Sequence, residues 1–131
     1  MKTLLATAAA MLVLAAPAMA DPAVGTWQTQ VDDGAYAYVD LNLCGEAICG
    51  NIARTFKNGG DEYQSPNLGR QIVINMVPSV AGKYKGQVWR PSNDKIYKGD
   101  MTVEGDTLKL RGCVGFCTPL TSATQTWTRV N

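Results

Sequence analysis

Residues 35–44, AYAYVDLNLC, alternate without a break. Ala37, Val39, Leu41 and Leu43 fall on one side; Tyr36, Tyr38, Asp40 and Asn42 fall on the other. A period of two is the mark of a strand with one face buried. The same pattern runs through 24–31, 48–56, 70–77, 83–90, 95–103, 107–113 and 122–130. Most of the breaks are short and rich in turn residues: Asp32-Asp33-Gly34, Gly45-Glu46-Ala47, Pro91-Ser92-Asn93-Asp94 and Glu104-Gly105-Asp106. Lys57–Gly69 is the one long gap. No helical period, repeat or glycine-rich phosphate loop interrupts the series. Eight sequential strands with short turns predict an all-β fold, an eight-stranded antiparallel up-and-down β-barrel. Closure would pair the first strand with the last and remove both free edges.

The turns set registers that can be checked against burial. A turn on Glu46-Ala47 places Leu43 opposite Gly50, Leu41 opposite Ile52 and Val39 opposite Arg54. A turn on Ser92-Asn93 pairs Val88 with Tyr97 and Tyr84 with Met101 inside, and Lys85 with Asp100 outside. A turn on Gly105-Asp106 pairs Met101 with Leu110 inside and Asp100 with Arg111 outside. Each turn yields the same inside, and a slip of one residue would invert it. Trp89 pairs with Ile96 on the outside. The three-residue loop Asp32-Asp33-Gly34 puts Trp27 on the face of Val39.

The first twenty residues read as a leader. Lys2 is basic, 4–16 is an apolar run, Pro17 breaks it, and Ala18-Met19-Ala20 is a small-x-small cleavage site, the layout of a secretory signal peptide. The run is too short for a bilayer span, which needs about 20 apolar residues. Cleavage after Ala20 leaves residues 21–131, 111 of the 131, as a single β-barrel domain in the periplasm or outside the cell. The chain holds 12 Lys and Arg against 11 Asp and Glu, so a domain without Lys2 is neutral. A neutral domain has no long-range attraction for nucleic acid, and no later stretch is apolar enough to insert in a membrane. Cys44, Cys49, Cys113 and Cys117 form an even set in an exported chain, which reads as two disulfides. Spacings of C-x4-C and C-x3-C lie near zinc-ligand range, but an oxidising compartment and the absence of histidine favour disulfides. The short loops give Cys44–Cys49 and Cys113–Cys117 as the pairs.

Gly25-x-Trp27 opening the first strand, with Arg129 in the last, resembles the calycin pattern of lipocalins and fatty-acid-binding proteins. "GTWQT", "LCGEAICGNI", "WRPSNDKIYKGDM", "DTLKLRGCVG" and "QTWTRV" are similar to a bacterial family of exported proteins known as domain of unknown function 2147. The resemblance runs from Gly25 to Val130. It departs at Pro91–Lys95, where members usually carry an Asp-Gly-Lys-like turn. It implies a lipocalin-like barrel and, the family having no settled activity, no catalytic residue.

The strand order sends Gly25, Trp27, Trp127 and Arg129 to a closed end, with Arg129 over the indoles. The opposite end collects the long Lys57–Gly69 segment as a lid. Near that mouth the registers put Arg54, Phe56, Val88, Arg90 and Tyr97 inside, with Met101 and also Ile52, Ile72, Ile74 and Leu110 deeper. Arginines over an apolar interior suit an apolar or anionic amphipathic ligand such as a fatty acid. The competing reading is that an eight-stranded barrel is filled by its own side chains. An alternative function is a periplasmic protein-interaction module, an inhibitor of a hydrolase or an envelope stress factor, using Lys57–Gly69 or Val114–Leu120. Without histidine or a catalytic motif, and with no cofactor or metal site indicated, enzymatic activity is not expected.

Overall fold

The structure, a computed structural model, describes residues 21–131. The segment read as a signal peptide, 1–20, lies outside the described residues. Nine strands follow in order: β1 (Gly25–Gln28), β2 (Ala35–Cys44), β3 (Ala47–Lys57), β4 (Glu62–Tyr63), β5 (Gln71–Pro78), β6 (Lys83–Arg90), β7 (Lys95–Glu104), β8 (Thr107–Cys113) and β9 (Ser122–Arg129). Eight form one antiparallel ring, β2-β1-β9-β8-β7-β6-β5-β3, which β2 and β3 close. The two-residue β4 hangs on the outer half of β3. The barrel expected from the alternation is thus the fold.

Most registers follow the turns. Val88 pairs with Tyr97, Tyr84 with Met101 and Lys85 with Asp100 across β6–β7; Met101 pairs with Leu110 and Asp100 with Arg111 across β7–β8. Trp27 pairs with Val39, and Trp27 with Arg129 where the barrel closes. Cys44 is bonded to Cys49, and Cys113 to Cys117.

The β2–β3 hairpin differs from the expected register. Its turn is Gly45-Glu46, with Cys44 opposite Ala47 and Leu41 opposite Gly50. Gly45 takes φ of 69°, which glycine allows cheaply in a two-residue turn. Between Tyr38 and Val39 the register then shifts: Val39 faces Ile52 but Tyr38 faces Arg54, so Ala53 is an extra residue. Such a bulge turns every side chain beyond it to the other face. A second irregularity separates Ile74 and Val77 on β5, where Asn75 has φ of 45°. Val73 and Met76 are therefore the fully buried residues of this strand, while Ile74 pairs with Gln87 on the outer face.

The closed end is built by the chain termini. Trp27 and Trp127 are fully buried. The Trp27 indole N–H donates to the Ala23 carbonyl at 2.9 Å, and the Arg129 guanidinium lies 4.3 Å from the Trp27 ring centre. Arg129 Nη1 donates to the Val24 carbonyl at 3.0 Å, Nη2 to the Pro22 carbonyl, and Nε meets Asp106 at 3.1 Å. Gly25 has φ of 142°, and a Cβ there would sit 2.7 Å from Arg129 Nη1 and 2.5 Å from the Asn131 carbonyl oxygen. The glycine, the tryptophan and the arginine are one contact: glycine leaves room for the guanidinium that stacks on the indole.

Tyr84 completes the plug by donating its hydroxyl to the Asp21 carboxylate. Burial first, and then the Asp21 carboxylate, push the Tyr84 hydroxyl well above the ordinary tyrosine range. A raised folded pKa contributes stability that is whole below the unfolded value near pH ~10 and is lost as pH climbs beyond it. Denaturant unfolding should therefore show stability falling above pH ~10. Tyr84→Phe should make that fall shallower, while costing about 1–2 kcal/mol at neutral pH through the lost hydrogen bond. An alkaline slope unchanged by the substitution would contradict this account.

Candidate functional site

The end opposite the plug is open. A cavity of about 580 Å³ runs inward from it, and a smaller chamber of about 260 Å³ adjoins it. Both are lined by Gln30, Asp32, Ile72, Pro91 and Gln125. Val88, Leu110 and Ala123 give the larger cavity apolar wall, and Trp127 is at its inner surface. The smaller chamber takes Thr29, Ala37, Ile52 and Thr55 from the barrel and Tyr63, Ser65 and Asn67 from the long loop. The open half of the barrel is therefore not filled by its own side chains.

Of the residues read as a ligand site, Val88, Arg90 and Tyr97 line the larger cavity. Arg90 stands at the rim, opposite Lys95 in the register, and meets no carboxylate among the described residues. The Tyr97 hydroxyl accepts a hydrogen bond from Asn93 Nδ2 at 2.6 Å, which fixes the ring at the β6–β7 turn, residues 91–94. Met101 is fully buried and does not reach the cavity. It pairs with Tyr84 in the closed half, where side chains do fill the interior.

Arg54 and Phe56 lie outside the barrel, a correction that follows from the bulge at Ala53. Phe56 stacks on Tyr36 with ring centres 5.0 Å apart and tilts against Tyr38 at 4.7 Å. The Arg54 guanidinium sits 5.2 Å from the Phe56 ring centre and donates to both Glu62 oxygens, at 2.7 and 2.9 Å. This bidentate contact holds the Glu62 carboxyl below the usual carboxylate range. Beyond the bulge it is Ala37 and Thr55 that face the chamber. Trp89 is also corrected. It pairs with Ile96 as expected, but it is only 4% exposed. Arg70 stacks on it at 3.8 Å, and Asp94 accepts its indole N–H at 2.8 Å.

The long segment does not cap the larger cavity. Lys57–Gly69 is pinned along β3: Thr55 donates its hydroxyl to the Tyr63 carbonyl at 2.6 Å, Asn51 donates to the Gly69 carbonyl at 3.0 Å, and Asn58 N–H donates to the Gly34 carbonyl at 2.9 Å. The apolar rim comes from elsewhere. Val31, Val114 and Leu120 line the larger cavity and are 45%, 65% and 98% exposed. Val114 lies within the loop closed by the Cys113–Cys117 link, and Leu120 follows it in the chain. The sulfurs of that disulfide also lie near Asp100, but bonded to each other they are not thiolate ligands.

Sequence reasoning missed Gln125, Gln30 and the cavity-facing role of Trp127. Gln125 had a signal, being two residues before Trp127 on β9 and hence a polar residue on the inner face. Gln30 had none, since it lies beyond the end of β1.

A closed eight-stranded barrel, plugged at one end and open to a cavity at the other, is a lipocalin-like architecture. Protein HP1028 from the human pathogen Helicobacter pylori, described as belonging to the lipocalin family, has a solved structure similar to this chain. Its TM-score is 0.63 at 15% sequence identity, over 82% of each chain. At that identity the likeness is one of fold. Residues 25–129 match the family described as uncharacterized protein conserved in bacteria (DUF2147), and the chain belongs to that family. No curated protein matches it.

If the bulge is what sends Arg54 outward, its ion pair serves the loop and not the interior. Arg54→Ala should speed amide exchange at Glu62 and Tyr63 while leaving protection at Val88 and Leu110 unchanged. Loss of protection at Val88 and Leu110 would show that Arg54 supports the cavity wall.

Proposed function

We propose that this protein is an exported carrier or sensor of a small apolar or anionic amphipathic molecule, a fatty acid being the simplest example. The observation that carries the reading is the cavity itself: about 580 Å³, within the range that encloses small ligands, with apolar walls and a few polar groups. Arg90, without a carboxylate partner among the described residues, supplies positive charge at the mouth. Two disulfides fit an extracytoplasmic, oxidising compartment, which we take to be the periplasm or the exterior. Among the described residues no helix is long and apolar enough to cross a membrane. Binding rather than catalysis is our reading, because the one strongly shifted group, Tyr84, sits in the plug, away from the cavity.

Each methylene buried in such a cavity contributes about 0.8 kcal/mol. Calorimetric titration of the delipidated protein with straight-chain carboxylates of increasing length should thus show affinity rising about tenfold for every two carbons, then levelling when the cavity is full. No dependence on chain length would sink the proposal.

A protein-interaction role has one specific observation in its favour. Phe116 and Leu120 are 85% and 98% exposed on the disulfide-bound loop, and exposed apolar side chains together mark contact surfaces. If the loop docks on a protein, Phe116→Ser should abolish recovery of a stoichiometric partner by crosslinking in the periplasm while leaving carboxylate affinity intact, since Phe116 does not line the cavity. A partner recovered equally with the variant, or none with the natural chain, would remove this reading.

A further inference from the structure

Two glutamines line both chambers, and each has its orientation fixed by a neighbour that can only donate. Gln125 Oε1 accepts the Trp127 indole N–H at 3.0 Å. Gln30 Oε1 accepts the Thr126 backbone N–H at 3.1 Å. Indole and peptide N–H groups have nothing to accept with, so the amide oxygen must be the atom engaged at each contact. The NH2 group of each side chain is then turned away, and neither meets an acceptor among the described residues. Both side chains line the two chambers, Gln125 half-buried and Gln30 exposed at the mouth, so the NH2 groups are open to the cavity or its mouth. Thr29 adds to the pattern: its oxygen accepts the Ala37 N–H at 2.9 Å, which leaves the hydroxyl hydrogen available to the smaller chamber. The junction of the chambers therefore presents donors to a ligand, and the carboxylates of the smaller chamber, Asp32 and Asp33, stand at its exposed edge.

We propose that Gln30 and Gln125 form a clasp for the acceptor oxygens of a ligand's head group, a carboxylate or a carbonyl, and that this clasp sets the ligand class. The proposal rests on the reading that the cavity takes an amphiphile, and deepens it. A carboxylate or ester oxygen at the junction satisfies the two amides. An ammonium head brings donors against donors at the junction and finds carboxylates only at the exposed edge, Asp32 and Asp33. Arg90 at the rim attracts anions from a distance, but a guanidinium alone would strongly favour the anion over an uncharged ester, whereas the neutral amides donate to both.

Dodecanoate, methyl dodecanoate and dodecylamine, titrated into the delipidated protein at pH 8, separate these cases without any substitution. The expected result is that the acid and the ester both bind at least tenfold more tightly than the amine. Gln125→Glu and Gln30→Glu supply the second arm. Each keeps an oxygen for Trp127 or Thr126 and removes the NH2 group, so the fold keeps its contacts. Each should weaken dodecanoate at least tenfold and strengthen dodecylamine. The amine binding as tightly as the acid to the natural chain, or dodecanoate affinity unmoved in both variants, would overturn the clasp and leave the amphiphile reading standing. No binding of any of the three would overturn both.

Discussion

The barrel depends on one contact, the Arg129 guanidinium stacked on Trp27 4.3 Å from its ring centre. β1 is only four residues long and pairs with β9 over two of them, so few ladder hydrogen bonds hold the seam. Arg129 strengthens it by bonding the carbonyls of Pro22 and Val24 and pairing with Asp106 across the end of the barrel. Gly25 is required because the same guanidinium fills the space of a Cβ. Once the seam closes, Ala23 and Trp27 seal one end. The barrel interior then has a single direction in which to open.

That polarity accounts for the distribution of side chains. Near the plug, Tyr84, Met101, Leu41 and Ile48 are almost fully buried and fill the interior. Toward the mouth the inward residues become smaller or more polar: Ala37, Thr55, Val88, Gln125. Gly99 sits where the two halves meet: a Cβ there would collide with Val88 Cγ2 at 2.6 Å and press on buried Met76 Cε at 3.4 Å. Tight packing in one half and room in the other come from the same alternation, read with residues of different size.

Much of this was legible in the chain. Alternation and turn residues determine the eight strands, and two hairpins reproduce their expected pairings residue by residue. The closed end followed from chain order alone. What could not be read was a bulge. Ala53 carries no glycine and no turn signal, yet one extra residue there sends Arg54 and Phe56 to the outer face and brings Thr55 to the inner one. The outer positions are comfortable because Tyr36, Tyr38 and Glu62 receive them. Asn75 does the same to β5, exchanging Ile74 for Met76 in the core. Of the ligand-site residues on the regular β6–β7 hairpin, Val88, Arg90 and Tyr97 reach the cavity and Met101 lies too deep, while Arg54 and Phe56, past the bulge, face outward.

The account makes the interior of the open half, and not the aromatic cluster on the outer face, the place where a small molecule meets this protein. The most direct measurement is a nuclear magnetic resonance map of the side-chain NH2 and backbone amide signals during addition of dodecanoate. The Gln30 and Gln125 NH2 signals should move, together with the Trp127 indole N–H and the amides of Val88 and Leu110, while those of Tyr38, Arg54 and Phe56 stay in place. Shifts centred on Tyr38, Arg54 and Phe56, with the two glutamines unmoved, would contradict it.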